Sequence, residues 1–82
     1  MQLKPFEVGR YDDSSFIVSN PENRMQELFS EREYAILKFL KQNQAHSLLS
    51  LLMPNIGIAK KTHIELCLKV LSKLRKIGRA HV

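Results

Sequence analysis

IAKKTHIELCLKVLSKLRK, residues 58–76, has a spacing of apolar residues that predicts one long amphipathic helix. At about 100° per residue, the apolar side chains fall on one arc about 200° wide: Ile64, Leu66, Cys67, Leu68, Val70, Leu71, Leu74 and Ile77. The opposite strip is polar and basic and consists of Thr62, Glu65, Lys69, Ser72, Lys73 and Lys76, with Lys61 at its edge. An arc this wide predicts that more than half of the helix is buried, which leaves a narrow basic strip exposed.

Positive charge is concentrated in this part of the chain. Residues 59–82 hold seven Lys and Arg and one acid, Glu65, for a net charge of +6, whereas residues 1–58 hold six against seven, for −1. Together these give the +5 of the whole chain. A slightly acidic body with one basic helix indicates a binding site for a polyanion such as nucleic acid. The alternative is an ordinary solvated lysine face on a core helix.

The first 28 residues predict a small antiparallel sheet. Phe6 and Val8 alternate with polar neighbours, and residues 16–18, Phe-Ile-Val, form a second β-rich run. Residues 19–23 contain the Asn and Pro of a turn, and residues 24–28 can return from it as a third strand. Because so few strands are not stable alone, we expect the sheet to pack against the helices.

The clearest helix start in the chain is at Ser30. Its hydroxyl can accept a backbone N–H as the N-cap, and Glu33, three residues on, completes a capping box. Apolar residues continue at helical spacing from Tyr34 to Leu40, and the pattern ends at residues 42–44, Gln-Asn-Gln. The spacing therefore predicts a first helix of about three turns.

A second, shorter helix is predicted from His46 or Ser47 to Met53, because its leucines are nearly continuous and a proline follows it. Residues 54–57, Pro-Asn-Ile-Gly, connect it to the basic third helix. Helix, short helix, turn and basic helix is the order of a helix-turn-helix unit. We expect an α+β fold, a small N-terminal antiparallel sheet followed by a three-helix helix-turn-helix bundle, in one domain over residues 1–76.

The sequence contains no pattern typical of catalysis, metal binding or membrane insertion. Cys67 is the only cysteine and lies on the apolar arc, which predicts a buried core residue and excludes an internal disulfide. His46, His63 and His81 share no metal-ligand spacing. We therefore expect no enzyme activity, no cofactor and no metal. No apolar run is long enough to span a bilayer and no signal peptide is recognised, so we expect a cytoplasmic protein without membrane contact.

Three stretches carry a family resemblance. Residues 5–9, PFEVG, residues 28–37, LFSEREYAIL, and residues 71–76, LSKLRK, look like an opening strand, a first-helix signature and the end of a recognition helix. Together they resemble the DNA-binding (effector) domain of OmpR/PhoB-type response regulators, a winged helix-turn-helix. The resemblance implies sequence-specific binding of double-stranded DNA, with the third helix, about 60–76, in the major groove. It also implies a homodimer on DNA and transcriptional control as the effector part of a two-component system.

The hypothesis of DNA binding assigns roles to the side chains of the third helix. Phosphate contacts are expected at the two ends of the helix, from Lys60, Lys61 and Lys76. Base edges are expected to meet Thr62, Glu65, Lys69 and Lys73, and Ser72 lies on the same strip. Glu65 is expected to pair with Lys61 or Lys69 at four-residue spacing. Arg75 lies close to the apolar arc, and we expect it to brace the sheet instead.

Two features depart from the resembled family. The connector between the second and third helices is slightly short, and the β-hairpin wing that follows the recognition helix in that family is missing. The last six residues, 77–82, IGRAHV, are what a common sequencing adapter spells when it is translated. We therefore predict a non-native tail at 77–82 and a native protein that continues beyond about Lys76.

Two alternatives stay open at this point. Residues 57–62 and 70–74 also resemble the turn and the end of the recognition helix in LuxR/GerE-type four-helix domains, which implies the same function without the N-terminal strands. The wide apolar arc also fits a helical protein-interaction module that docks on a hydrophobic partner. Salt separates these functions, because DNA binding weakens steeply with salt and apolar association does not.

Overall fold

The computed structural model describes residues 2–52 and 60–81, and its element order is that of an α+β fold. The strands are β1 (Gln2–Leu3), β2 (Glu7–Arg10), β3 (Ser15–Ser19), β4 (Gln26–Ser30) and β5 (Ala80–His81). The helices are α1 (Glu31–Gln42), α2 (Leu48–Leu51) and α3 (Lys60–Lys76). The predicted fold class, a small N-terminal antiparallel sheet followed by helices, is confirmed.

The N-terminal sheet is antiparallel in the order β2, β3, β4, with Phe16 of β3 opposite Phe29 of β4. The turn between β2 and β3 is fixed by Asp12, whose Oδ1 accepts hydrogen bonds from the Ser14 N–H and the Ser15 hydroxyl. These bonds lower the pKa of Asp12 below its ordinary value, because they stabilise its charged form. The sheet predicted from the first 28 residues is therefore present.

The third strand begins later than the sequence predicted, at Gln26 rather than at Arg24. Arg24 has a φ of +61°, a left-handed conformation that does not continue a strand. Its N–H donates to the Asn20 carbonyl at 3.0 Å, and the Asn20 N–H donates to the Met25 carbonyl at 2.9 Å. Arg24 is thus part of the turn between β3 and β4.

A second antiparallel pair joins β1 to β5, and the sequence patterns did not predict it. Gln2 lies opposite His81 and Leu3 opposite Ala80. Each strand has only two residues, which is too short for an alternation of apolar and polar side chains to be recognised. The pair brings the segment after α3 back against the start of the chain.

α1 begins as the capping box predicts. The Glu33 N–H donates to the Ser30 hydroxyl at 3.1 Å, and Glu33 Oε1 accepts the Ser30 N–H at 2.8 Å. The helix ends within the predicted range, where the Asn43 side chain donates to the Phe39 carbonyl at 2.7 Å. Because β4 ends at Ser30 and α1 begins at Glu31, no linker separates this strand from this helix.

The core lies between the sheet, α1 and α3. Its fully buried members come from all three layers: Val18, Phe29, Leu37, Leu40, Val70 and Leu74. Ile36 and Leu71 are also buried against them, as are Leu3 of β1 and Leu51 of α2. α1 and α3 pack on each other through their buried residues, so the opposite face of α3 lies toward solvent.

The buried face of α3 is rotated relative to the predicted apolar arc. Leu68, predicted on the arc, has 50% of its surface exposed, whereas His63, which was not predicted there, is completely buried. The buried positions His63, Cys67, Val70 and Leu74 follow a spacing of four, three and four residues, and Leu68 is one step of about 100° away from Cys67. Packing against the core determines which face of α3 is buried, and this face cannot be found by counting leucines on a helical wheel.

α2 is shorter than predicted and spans one helical turn. The Ser47 hydroxyl accepts the Ser50 N–H at 3.2 Å, and the Leu51 N–H donates to the Ser47 carbonyl at 3.1 Å. Met53 and the predicted connector at 54–57 lie outside the described residues, as do Ile58 and Ala59 of the predicted third helix. The described part of α3 therefore begins at Lys60.

α3 ends in a left-handed glycine cap. Gly78 has a φ of +78°, its N–H donates to the Arg75 carbonyl at 3.0 Å, and the Arg79 N–H donates to the Leu74 carbonyl at 2.8 Å. Ile77 and Arg79 are 1% and 5% exposed, so the described part of the predicted tail packs against the body. The non-native origin of residues 77–82 stays a prediction.

Candidate nucleic-acid interface

The solvent-facing side of α3 is a strip about 21 Å long, at 1.5 Å per residue. It consists of Lys61, Glu65, Leu68, Ser72 and Arg75, all exposed and all within one third of the helix circumference. We call these five residues the outer strip. Lys60 is exposed at the start of the helix, before the strip. Cations therefore stand at both ends of the outer strip, with an acid, a leucine and a hydroxyl between them.

The lysines at one edge of this strip face the acids of β4 and α1. Of the predicted site residues, Lys69 and Lys76 are exposed, whereas Thr62 and Lys73 are half-buried. The prediction that Thr62 and Lys73 are exposed is therefore wrong. On the helical wheel Lys73 lies next to the buried face, where it meets the junction between β4 and α1.

Lys73 is the most constrained of these lysines. Its Nζ lies 3.0 Å from each carboxylate oxygen of Glu33, donates to the Leu28 carbonyl at 2.6 Å and stands 5.2 Å from the centre of the Phe29 ring. Only 23% of the Lys73 side chain is exposed. These contacts tie α3 to β4 and to the first turn of α1, so Lys73 has a structural role.

Glu33 receives several favourable contacts in a buried position, since only 5% of its side chain is exposed. Burial opposes the charged form and raises the pKa, but the Ser30 N–H and the Lys73 ammonium outweigh it, so the pKa lies below its ordinary value. Lys69 adds a longer contact at 3.6 Å to Glu33 Oε2 while its own side chain is 64% exposed. The carboxylate therefore stays charged and holds two lysines of α3.

A second ion pair lies farther along the same edge of α3. Lys76 Nζ is 3.3 Å from Glu27 Oε1 of β4, with 70% of the lysine and 25% of the glutamate side chain exposed. Exposed pairs of this kind are weak, because water and salt screen them. Lys69 and Lys76 can therefore exchange their carboxylate partner for another anion. Lys73 cannot, because it would lose its enclosed contacts with Glu33 and the Leu28 carbonyl.

Within the described ranges, Lys60, Lys61 and Arg75 form no ion pair with an acid of the chain. The predicted pairing of Glu65 with Lys61 or Lys69 is wrong, because Glu65 forms no ion pair within the described ranges and Lys69 contacts Glu33 instead. The prediction that Arg75 braces the sheet is also wrong, since Arg75 is exposed on the outer strip. The unpaired cations thus include one, Arg75, that the wheel assigned elsewhere.

The other polar cluster on α3 is internal. His63 Nε2 lies 2.9 Å from the Leu51 carbonyl and 3.6 Å from Cys67 Sγ, and the His63 ring meets Phe39 edge-on with centroids 5.7 Å apart. Cys67 is buried as predicted, and burial raises the pKa of its thiol. The cluster joins α2 to α3. The four-residue spacing of His63 and Cys67 was the available signal that His63 belongs to the buried face.

Comparison with known proteins found no matching family model, no similar curated protein and no similar solved structure. The resemblance to OmpR/PhoB-type domains therefore stays a prediction. Across residues 2–52 and 60–81, no helix is long and apolar enough to cross a membrane. In the same ranges, no three His, Cys, Asp or Glu side chains are grouped so that they could hold a metal ion.

Proposed function

We propose that this chain binds double-stranded DNA sequence-specifically and acts as a transcriptional regulator, with α3 in the major groove. The observation that carries the proposal is the outer strip, which combines cations at both ends with groups suited to base edges between them. A helix with its side chains is about 10–12 Å across, and the major groove is about 12 Å wide. α1 and the sheet lie behind α3 and leave the strip free to enter the groove.

The geometry favours a revised division of roles among the predicted residues. Lys60 and Lys61 are the phosphate contacts at the start of the helix, and Lys69 and Lys76 are phosphate contacts along its edge. Base edges are left to the other four residues of the outer strip: Glu65, Leu68, Ser72 and Arg75. An arginine can bind guanine O6 and N7, and a leucine side chain can contact the methyl group of thymine. Lys73 supports the helix through Glu33 and takes no base.

The sequence resemblance supports the wider part of the proposal. It adds that the chain is the effector part of a cytoplasmic two-component response regulator and binds its site as a homodimer. The order of a sheet, α1, α2 and a basic α3 fits this proposal. The LuxR/GerE-type alternative does not need the three strands β2 to β4, and it gives the same DNA-facing helix.

The experiment is a titration of a labelled duplex of mixed sequence with the 82-residue chain over a series of salt concentrations. The logarithm of the affinity is expected to fall linearly with the logarithm of salt, with a slope of about −0.9 for each phosphate neutralised. Lys61→Ala and Arg75→Ala should each weaken binding, and Lys61→Ala should reduce the slope by about 0.9. Selection from a random duplex library should yield one consensus.

Lys38→Ala is the matched control, because Lys38 is exposed on the side of α1 opposite its buried face. It removes the same charge, so a general effect of net charge would weaken binding equally. If Lys61→Ala and Arg75→Ala change the affinity no more than Lys38→Ala does, α3 is not the interface. A library selection without a consensus would contradict sequence-specific reading.

A protein-interaction module is the second candidate, and the exposure of two leucines favours it. Leu68 is 50% exposed on the outer strip, and Leu49 of α2 is 78% exposed. If a protein partner or a second copy covers Leu68, self-association should persist at high salt and be lost in Leu68→Ser. Light scattering over a range of protein concentrations measures this. A monomer at every concentration would argue against self-association through Leu68.

A further inference from the structure

One acid of the body lies within contact of a lysine at the edge of the candidate interface. We propose that Glu27 of β4 competes with DNA phosphate for Lys76 and thereby sets the affinity of α3 for DNA. This inference rests on the proposed DNA binding and deepens it by naming a residue that limits that binding. In the free protein, Glu27 forms an ion pair with the Lys76 ammonium, which would otherwise be available to a phosphate.

The geometry of the pair supports competition and not a permanent bond. Lys76 Nζ lies 3.3 Å from Glu27 Oε1, and 70% of the Lys76 side chain remains open to a second anion. Glu27 is partly exposed and lies on the edge strand of the sheet that faces α3. A phosphate approaching the edge of α3 therefore meets Lys76 and a carboxylate at the same place.

Glu33 also contacts lysines of α3, Lys69 at 3.6 Å and Lys73 at 3.0 Å, but its charge cannot be removed without loss of structural contacts. Its side chain is 5% exposed and accepts the Ser30 N–H, so it belongs to the capping box of α1. Lys73, its close partner, is largely enclosed. Among the described residues, Glu27 caps no helix, and its carboxylate contacts only the Lys76 ammonium. It is therefore the acid that can be neutralised without loss of the fold.

The size of the effect follows from the exposure of the pair. An exposed ion pair with Glu27 should weaken the binding of a DNA phosphate to Lys76 by a factor of about two to five. Glu27→Gln keeps the shape of the side chain and removes its charge, so it should raise the affinity for a duplex by about this factor. The salt dependence should also become steeper by up to about 0.9, because Lys76 then neutralises one phosphate fully.

Glu7→Gln is the matched control. Glu7 is exposed on β2, the opposite edge of the same sheet, two strand spacings or about 10 Å from β4. It removes the same charge from the protein. At physiological salt a charge at that distance is largely screened, so the control should change the affinity much less than Glu27→Gln does.

A double-mutant cycle assigns the effect to the pair. In a Lys76→Ala background, Glu27→Gln should raise the affinity no more than Glu7→Gln does. A gain that persists without Lys76, or equal gains from Glu27→Gln and Glu7→Gln, overturns the inference. A wild-type chain that binds no duplex even at low salt overturns the proposed function itself. The wild-type titration therefore separates the two failures.

Discussion

Replacing Lys73 by methionine tests the tie between α3, β4 and the first turn of α1. Methionine keeps the apolar stem near the Phe29 ring but removes the ammonium that contacts Glu33 and the Leu28 carbonyl. The Glu33 carboxylate, 5% exposed, then loses its nearest cation. A buried charge that loses its partner is strongly destabilising, because water does not replace the lost contact.

The expected loss can be sized from the contacts that remain. Removing one member of a buried ion pair costs about 3–5 kcal/mol. Glu33 keeps the Ser30 N–H at 2.8 Å and Lys69 at 3.6 Å, so the loss should be smaller, at about 2–3 kcal/mol. A domain of this size is stabilised by about 4–12 kcal/mol in total. Such a loss should lower Tm by roughly 10–20 °C.

The assay is thermal and urea unfolding followed by far-UV circular dichroism, since the chain has no tryptophan. Lys69→Met is the matched control, because it makes the same substitution at a lysine that contacts the same carboxylate but is 64% exposed. It should lower the free energy of unfolding by no more than about 0.5 kcal/mol. If the two variants unfold alike, the reasoning that burial makes the Lys73 contact strong is refuted.

Three further outcomes are expected. Because the pKa of Glu33 in the folded protein lies below its ordinary 4.5, the charged Glu33 contributes stability above pH 4.5, and this contribution is lost as the pH falls through the folded pKa. In Glu33→Gln, the free energy of unfolding, measured at a series of pH values, should therefore fall less steeply on acidification. Asn20→Ala should lower the free energy of unfolding by about 1–3 kcal/mol, because the buried Asn20 Nδ2 donates to the Ile77 carbonyl at 2.7 Å. Gln42→Ala is the control and should have little effect, because the exposed Gln42 side chain has no hydrogen-bond partner among the described residues; equal losses would contradict this. The buried Cys67 thiol should react with a thiol reagent only as fast as the chain unfolds, and rapid reaction of the folded protein would disprove its burial.

Local signals in the sequence predicted the fold well where the physical cause is itself local. The capping box at Ser30 and Glu33 depends on two side chains three residues apart, so it could be recognised without a structure. The β1–β5 pair could not, because its partners lie at opposite ends of the chain and are two residues long. The fold class could thus be predicted from the sequence, whereas the β1–β5 pair could not.

The candidate site was only partly predictable for the same reason. A helical wheel places residues around one helix but does not contain the acids of β4 and α1. Lys73 was therefore predicted as a base contact although Glu33 holds it, and Arg75 was assigned to the sheet although it is exposed. The net charge of the segment predicted a basic surface. Which cations remain unpaired depends on the tertiary structure.

The direct junction of β4 and α1 at Ser30 has a consequence for how motion passes through the molecule. No linker residue separates β4 from α1, so we expect the strand and the helix to move together. α3 is fastened to both sides of this junction by Lys73, which contacts the Leu28 carbonyl on the strand and Glu33 on the helix. A force that tilts the sheet therefore tilts α3 as well, because close-packed interiors transmit displacement. A partner that binds the sheet and moves it would therefore also move the outer strip of α3.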